Sequence, residues 1–426
     1  MFINLHSHDC KGSIRDAIAL PEDICKRVKE LGQVAYASTN HGSTSSLLTH
    51  YKLAKKAGLK FIFGLEAYIT DDITIKERGD YRHICLFAKN EIGYKNILKL
   101  ATISYTKGFY YKPRIDLELL KQYSEGLIIS SACLGGIFNY KKPDGDWDWV
   151  KIRETAIQYK MLFGDDFYIE LHTNQMPEQI EFNKQIYEIA THLDIDCFAA
   201  CDSHYVYKEE AATHRAWNSI DDNDENGYYQ TDDFYIHSED EVRQALSYLP
   251  DVVESAIQNT VKIADKCNVD IPFGEDNFPF YIQDGKQIRD RVEQVEIVKS
   301  ICREGWKNKI IPFIPKENRQ VYLDRFNEEM DILSKANYLN MMLITWEYEK
   351  WGHDNGIRFG SGRGSVGASL VAYLMDITKV DPIRHKLVFS RFCNLARVTT
   401  ADKQQCPLLW KHSIAKFVNC IAHRCA

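Results

Sequence analysis

Two histidines stand two residues apart near the start of the chain, in LHSH, as His6 and His8. On a β-strand, residues i and i+2 face the same way, so both imidazoles can converge on one point, which is how a metal ion is gripped. The spacing recurs in CDSH, where Asp202 and His204 follow a strand-like run. His41 lies in STNHGS, Glu66 in GLEAY and Cys133 in SSACLGG, each near the end of an apolar segment, and Asp16 follows the first pair in a loop. His83 is the exception, because it precedes its apolar run, HICLFA. Singly, each has a plain explanation as a core histidine, a buried thiol or a helix cap. Jointly, five histidines, three carboxylates and a thiolate exceed what one tetrahedral zinc needs and suit two or three divalent ions bridged by carboxylate.

The elements that would have to position these residues alternate along the chain. FINLH, VAYAST, FIFGLEAYI, HICLFA, LIISSA, FYIEL and CFAACDS have strand character. Most are separated by amphipathic helical stretches, the first being PEDICKRVKELG with Pro21 in its first turn and Gly32 just past its end. Seven strands with mostly helical crossovers imply a parallel sheet and a closed or nearly closed (β/α) barrel, whose sites form at the C-terminal ends of the strands. After about residue 210 the pattern becomes helical, and NVDIPFGEDNFPF, residues 268–280, marks a boundary. Beyond it come a long polar helix near ENRQVYLDRFNEEMDILSKANY, a second through LNMMLITWEYEKWGHDNG, and a glycine-rich turn, GSGRGS.

Composition bounds the partners. The 426 residues carry a net charge of −7, which argues against holding nucleic acid by bulk positive field, although a metal site supplies its own cations. No secretory signal or apolar run of membrane length is present, so the expected compartment is the cytoplasm and the twelve cysteines are expected to be reduced. Lys107, Lys112 and Arg114 beside Phe109, Tyr110 and Tyr111 mix phosphate-binding cations with rings able to stack on bases; a packed barrel loop would carry the same residues.

The segments LHSH, NHGS, GLEAY, RHICLFAKNEIGYKNILKL, GFYYKPRID, GLIISSACLGG and CDSHYVYKEEAATH resemble the PHP (polymerase and histidinol phosphatase) domain, in the form found at the N-terminus of bacterial DNA polymerase III alpha subunits. The resemblance runs to about residue 400. It implies a distorted (β/α)7 barrel with His6, His8, Asp16, His41, Glu66, His83, Cys133, Asp202 and His204 as its nine metal ligands, and so includes the anomalous His83. Two or three zinc, manganese or iron ions there would support phosphoester hydrolysis, and in this family that implies a 3′-to-5′ exonuclease acting on DNA. Asn40 stands where the family usually has aspartate and Ala17 where glycine is common. Asn40 is expected to sit beside the ligand set and to weaken the orientation of His41, altering metal affinity at most.

RFGSGRGSVGASLVAYLMDIT sets glycines and serines around Arg363 before an apolar helical run. Glycines let backbone amides approach a phosphate, and a helix N-terminus adds a positive dipole, although a glycine-serine turn before a buried helix would look similar. NGIRFGSGRGSVGASLVAYLMDITKVDPIRHKLVFSRFCN is similar to the palm segment of the same family, an α+β, nucleotidyltransferase-like domain. That resemblance implies that Gly362, Arg363, Gly364 and Ser365 bind the triphosphate of a deoxynucleoside triphosphate, with magnesium completing the polymerase site.

The paired aspartates expected in the next strand are missing: Asp402 stands alone, and TADKQQCPLLWKHSIAKFVNCIAHRCA departs from the family. A shifted frame or truncated end is the expected cause, rather than a zinc knuckle of Cys406, His412, Cys420, His423 and Cys425. The expected division is therefore 1–270 for the PHP domain with a helical extension, 271–400 for a partial palm and 401–426 for an atypical tail. The chain is not expected to polymerise alone. Expected partners are DNA, the missing polymerase portion on another chain, the sliding clamp and other replisome proteins, with no membrane. A non-catalytic half of a split polymerase and a stand-alone phosphatase for a small phosphate ester are the alternatives.

Overall fold

PEDICKRVKE forms helix α1, Pro21–Glu30, with the proline in its first turn, where the missing N–H costs nothing, and Gly32 beyond its end at φ 69°. The structure is a computed structural model and is described here for residues 1–79, 81–220, 231–273, 279–362 and 364–396. The chain divides into two compact units, Met1–Ile271 and Pro272–Ala426.

In the first unit, strands and helices continue as β1 Ala35–Ser38, α2 Leu47–Ala57, β2 Lys60–Thr70, β3 Arg82–Ala88, α3 Glu91–Thr106, β4 Phe109–Tyr110, β5 Lys112–Asp116, α4 Leu117–Gln122, β6 Leu127–Ser130 and α5 Trp149–Phe163. They are followed by β7 Phe167–His172, α6 Pro177–His192, β8 Cys197–Ala200, α7 Ala211–Asn218, α8 Glu239–Ala245 and α9 Val253–Lys266. The sheet runs in the order β4, β5, β2, β3, β6, β7, β8, with β1 beside the first half of β2. FINLH contributes isolated bridges rather than a full strand. Ala37 N–H donates to Asn4 O at 2.9 Å and His8 N–H to Ser203 O at 2.8 Å, so this opening strip joins β1 to the end of β8 and curls the sheet round.

The sheet is mixed, which corrects the all-parallel expectation. β3 runs antiparallel to both β2 and β6, because residues 71–81 join β2 to β3 without a helical crossover. FYYKPRID also departs from the loop expected: β4 and β5 pair antiparallel, and β5 lies parallel to the end of β2.

Alternation along the strands separates two apolar layers. Phe61, Phe63, Leu65, Ile84, Leu86, Ile169, Leu171 and Ala199 face the helices, whereas Ile62, Phe87, Ile128, Tyr168, Phe198 and Ala200 fill the inside of the curl with Ile263 and Cys267. The inward positions change character towards one rim, from Ile62 to Glu66, from Tyr168 to Glu170 and His172, and from Ala200 to Asp202. On β3 the order is reversed, with His83 first and Phe87 last, as the antiparallel direction requires. An apolar plug thus underlies a polar rim. Gly64 belongs to this packing: a Cβ there would lie 2.8 Å from Ser38 O.

The second unit is built of α10 Arg291–Lys309, α11 Arg319–Lys335, α12 Leu339–Asp354 and the short α13 Leu370–Leu374 around Val298, Leu333, Leu343, Leu370 and Met375. Its strands among the described residues are β9 Ile282–Gln283 and β10 Lys286–Gln287. The strand and aspartates sought after residue 397, and the cysteines and histidines of the tail, lie outside the described residues.

Candidate metal centre

Glu66, pointing inward from the middle of β2, is the hub. Its Oε2 lies 2.7 Å from His41 Nδ1, 3.3 Å from His8 Nε2 and 3.6 Å from His6 Nε2, and its Oε1 lies 3.1 Å from His83 Nδ1. Asp202 Oδ1 stands 3.2 Å from His8 Nε2 and 3.3 Å from His6 Nε2. Asp16 Oδ2 is 3.1 Å from His41 Nε2, Cys133 Sγ is 3.7 Å from His83 Nδ1, and the His204 ring stacks on His8 at 4.3 Å. All nine residues named from the sequence therefore meet at one rim. His6, His8, Glu66, Asp202 and His204 are buried, whereas Asp16, His41, His83 and Cys133 are half-buried and form the open side.

Local structure aims these groups. Asp202 adopts φ 50°, a left-handed turn that aspartate tolerates better than most residues and that ends the run of β8. His204 Nδ1 sits 2.8 Å from Asp202 O, which assigns the proton to Nδ1 and puts the ring's lone pair on Nε2. Ser13 Oγ lies 3.0 Å from His8 Nδ1 and accepts the His41 backbone N–H at 3.0 Å. His214 Nε2 donates to Asp16 O at 2.6 Å.

The donor set fits divalent cations. Both oxygens of buried Glu66, together with His8 Nε2 and His41 Nδ1, lack a hydrogen bond although they crowd one another. Such groups cost several kcal/mol unless something else satisfies them, on the order of 1–3 kcal/mol for each neutral one and more for a charge. Burial, then the neighbouring His41 and His204, hold His8 down at about 3, so its imidazole is neutral and can donate a lone pair. Burial would raise Glu66, but His41, His83 and His6 outweigh it and keep the carboxylate ionised. The same opposition, with His6 and His204 prevailing, holds Asp202 well below the usual carboxylate range.

Several readings change. Arg114 is buried and donates to Gly108 O at 3.2 Å and Ile73 O at 3.3 Å, so it braces the β5 hairpin and is not a phosphate-binding cation. Lys112 reaches Tyr68 Oη at 3.3 Å at the rim. The Asn40 side chain is hydrogen-bonded to Asp9. Its amide N–H₂ bonds Asp9 Oδ2 and its oxygen accepts Asp9 N–H at 2.9 Å, while Ser46 Oγ and His50 Nε2 also meet Asp9 Oδ2 at 2.7 and 3.1 Å. Asn40 therefore shapes the turn bearing Ser13. Sequence reasoning missed Glu170, His172 and Cys85. The i, i+2 pattern in IELH was the available signal for the first two. Glu170 Oε2 lies 2.7 Å from His6 Nδ1, and Cys85 Sγ 3.6 Å from the same nitrogen.

In the second unit, Gly362 and Gly364 have φ 117° and 71°, and Ser361 O accepts Lys379 N–H at 2.9 Å. Gly364 and Ser365 are exposed, whereas Arg363 lies outside the described residues. The helix dipole expected for a phosphate is already taken. Glu329 accepts Leu370 N–H at 2.9 Å and Val371 N–H at 3.0 Å, and Ser369 Oγ accepts Ala372 N–H at 3.1 Å. Any anion on this loop must therefore be met by the turn itself rather than by α13.

Residues 4–174 match the PHP domain, and residues 296–403 match the family described as bacterial DNA polymerase III alpha NTPase domain. The DNA polymerase III subunit alpha of Borreliella burgdorferi is 36% identical over 412 residues, covering 94% of this chain and 34% of the relative. The corresponding subunits of Campylobacter jejuni and Helicobacter pylori are 34% and 32% identical, each over 94% of this chain and 35% of the relative. Among solved structures, a putative metal-dependent phosphoesterase from Bifidobacterium adolescentis aligns over 57% of this chain and 95% of its own at 14% identity and a TM-score of 0.34. This chain spans about a third of the length of the curated relatives it matches, and over 94% of its own length it is similar to DNA polymerase III alpha subunits, with a PHP domain match followed by a match to the DNA polymerase III alpha NTPase domain.

Proposed function

We propose that the rim of the first unit is a metal-dependent phosphoesterase site that trims the 3′ end of DNA. His6, His8, Asp16, His41, Glu66, His83, Cys133, Asp202 and His204 would hold two or three zinc, manganese or iron ions. The observation that carries this reading is Glu66, a buried carboxylate with neither oxygen hydrogen-bonded and four imidazoles within 3.6 Å. When bound, such ions lower the pKa of a ligated water and neutralise phosphate and leaving oxygen. The chain's own residues supply the rest: Ser13 and the Asp202 carbonyl fix two imidazoles, the apolar plug closes the floor, and Asp16, His41, His83 and Cys133 leave one side open to substrate.

In the whole polymerase, the Gly362, Gly364 and Ser365 turn with Arg363 would hold the triphosphate of a deoxynucleoside triphosphate, and magnesium would complete the transfer site elsewhere. DNA, the remaining polymerase portion, the sliding clamp and other replisome proteins in the cytoplasm would be its partners. No helix among the described residues is long and apolar enough to cross a membrane.

The test is metal content by elemental analysis together with digestion of 3′-labelled single-stranded DNA. Two or three ions per chain and manganese- or zinc-dependent release of 3′ nucleotides are expected. Folded protein that takes up no metal overturns the reading, and metal uptake with hydrolysis of small phosphate esters only would replace DNA by a small substrate.

A further inference from the structure

His172, the last residue of β7, is only 1% exposed, and while its Nε2 faces Glu170, its Nδ1 makes no hydrogen bond. A buried ring nitrogen without a partner is costly, and natural interiors supply one. The surroundings narrow what the partner is. His172 Nε2 lies 3.3 Å from Glu170 Oε2, and His172 Nδ1 lies 3.9 Å from Asp202 Oδ2. The second distance is too long for a hydrogen bond, and a closure of about 0.3–0.6 Å would bring it to the roughly 3.3–3.6 Å that separates two donors of one tetrahedral ion with bonds of about 2.0–2.2 Å.

Glu170 sets the direction of both neighbouring rings. Its Oε2 lies 2.7 Å from His6 Nδ1 as well as 3.3 Å from His172 Nε2, and its Oε1 accepts Ser130 Oγ–H at 2.5 Å. An ionised carboxylate accepts and cannot donate, so the ring nitrogens facing it carry the protons. When each ring holds a single proton, as a bound cation requires, that leaves lone pairs on His6 Nε2 and His172 Nδ1, and these are the nitrogens that face the two oxygens of Asp202. Carboxylates behind metal-bound histidines act in this way, fixing the tautomer and raising the basicity of the ligating nitrogen.

We infer that His172 is a tenth metal-ligating residue, sharing an ion with His6 and Asp202, and that Glu170 is the positioning residue that holds both imidazoles in the ligating tautomer. This rests on the metal reading of the rim. The ion it describes lies at the deep, closed end of the site, away from the half-buried residues of the open side.

The experiment compares the wild-type chain with His172→Gln and Glu170→Gln, titrated with zinc and with cadmium after chelator treatment and followed by circular dichroism. His172→Gln is expected to lose one equivalent of tightly bound metal or to weaken one equivalent by roughly 10- to 100-fold, and Glu170→Gln to weaken the same equivalent. Cadmium-113 bound to protein carrying nitrogen-15 histidine should show scalar coupling to His172 Nδ1. Folded His172→Gln with wild-type stoichiometry and affinity, and no coupling at His172, overturns the inference while leaving the metal centre standing. Wild type that binds no metal overturns the centre itself. If Glu170→Gln fails to fold, the coupling in wild-type protein still decides the ligand.

Discussion

Glu66 Oε1 lies 3.1 Å from His83 Nδ1 although the two residues sit on strands of opposite direction, one in the middle of β2 and the other near the start of β3. In an all-parallel barrel His83 would lie at the far rim. The antiparallel β3 brings its first residues to the rim where β2, β7 and β8 carry their polar groups, and this is how the ninth residue joins the other eight.

The first prediction concerns that hub. A ligand that binds only the folded state stabilises it by about 2.7 kcal/mol at a hundredfold excess over Kd. Saturating zinc or manganese should therefore raise the melting temperature of chelator-treated wild type by roughly 5–10 °C. Glu66→Gln should abolish most of that rise, because it removes the carboxylate closest to four imidazoles. Differential scanning calorimetry with and without chelator reads both effects.

His8 and Asp202 test chemistry separately from folding. Neither supports the apolar plug, and each faces the centre with a ring nitrogen or a carboxylate oxygen. His8→Ala and Asp202→Ala should each reduce nucleotide release from 3′-labelled DNA by at least roughly a hundredfold. Far-ultraviolet circular dichroism should stay unchanged.

Much of this site was legible because strand geometry leaves a short-range trace. His6 and His8, like Asp202 and His204, are spaced so that one strand face presents both, and the helices between strands have periodic apolar faces with readable ends such as Pro21. The direction of β3 left no such trace, since an antiparallel strand has the same alternation as a parallel one. Arg114 shows another limit. Its burial depends on acceptors at Gly108 and Ile73, one of them 41 residues away, and a basic residue beside aromatics looks alike whether buried or exposed. Glu329 is the same case in the second unit: a charged residue on a polar helix whose four partners come mostly from residues 369–371.

Asn40→Asp would set a second carboxylate against Asp9 in a wholly buried cluster. Like charges in such a place force one group to protonate or the turn to open. We expect a loss of about 3 kcal/mol in urea unfolding of the first unit, with weaker metal binding as Ser13 shifts. Asp9→Asn added to Asn40→Asp should restore most of both, since the pair again holds one charge. An additive double variant would refute the pairing.

Glu329 is fully buried, and its oxygens accept from Arg325, Ser369, Leu370 and Val371. Glu329→Ala would take the carboxylate from half-buried Arg325, which keeps Ala368 O and Leu387 O, and leave two backbone N–H groups buried without their acceptor, at a cost of about 3 kcal/mol. The glycine turn lies immediately before this anchor in the chain. Hydrogen exchange should therefore rise at residues 366–374 in the variant, with the amides of β7 and β8 unchanged.

The last prediction concerns pH, at a histidine that is not one of the nine candidate ligands. His237 is 3% exposed, its Nε2 donates to Asp233 O at 3.1 Å, and its Nδ1 is buried without a partner. Burial pushes its pKa down to about 4, from 6.5 in an unfolded chain. Folding therefore requires the neutral ring. As pH falls below 6.5, the unfolded chain takes up the proton first, so the stability this residue permits is complete above 6.5 and is lost between 6.5 and 4. At 1.36 kcal/mol per pH unit the loss approaches roughly 3 kcal/mol at the lower end. Urea unfolding of the first unit at pH 7 and pH 4.5, in wild type and in His237→Gln, isolates the effect. The variant should show a drop between the two pH values smaller by roughly 2–3 kcal/mol, because glutamine carries no titrating proton, and an equal drop in both proteins would show that His237 charges freely in the folded state.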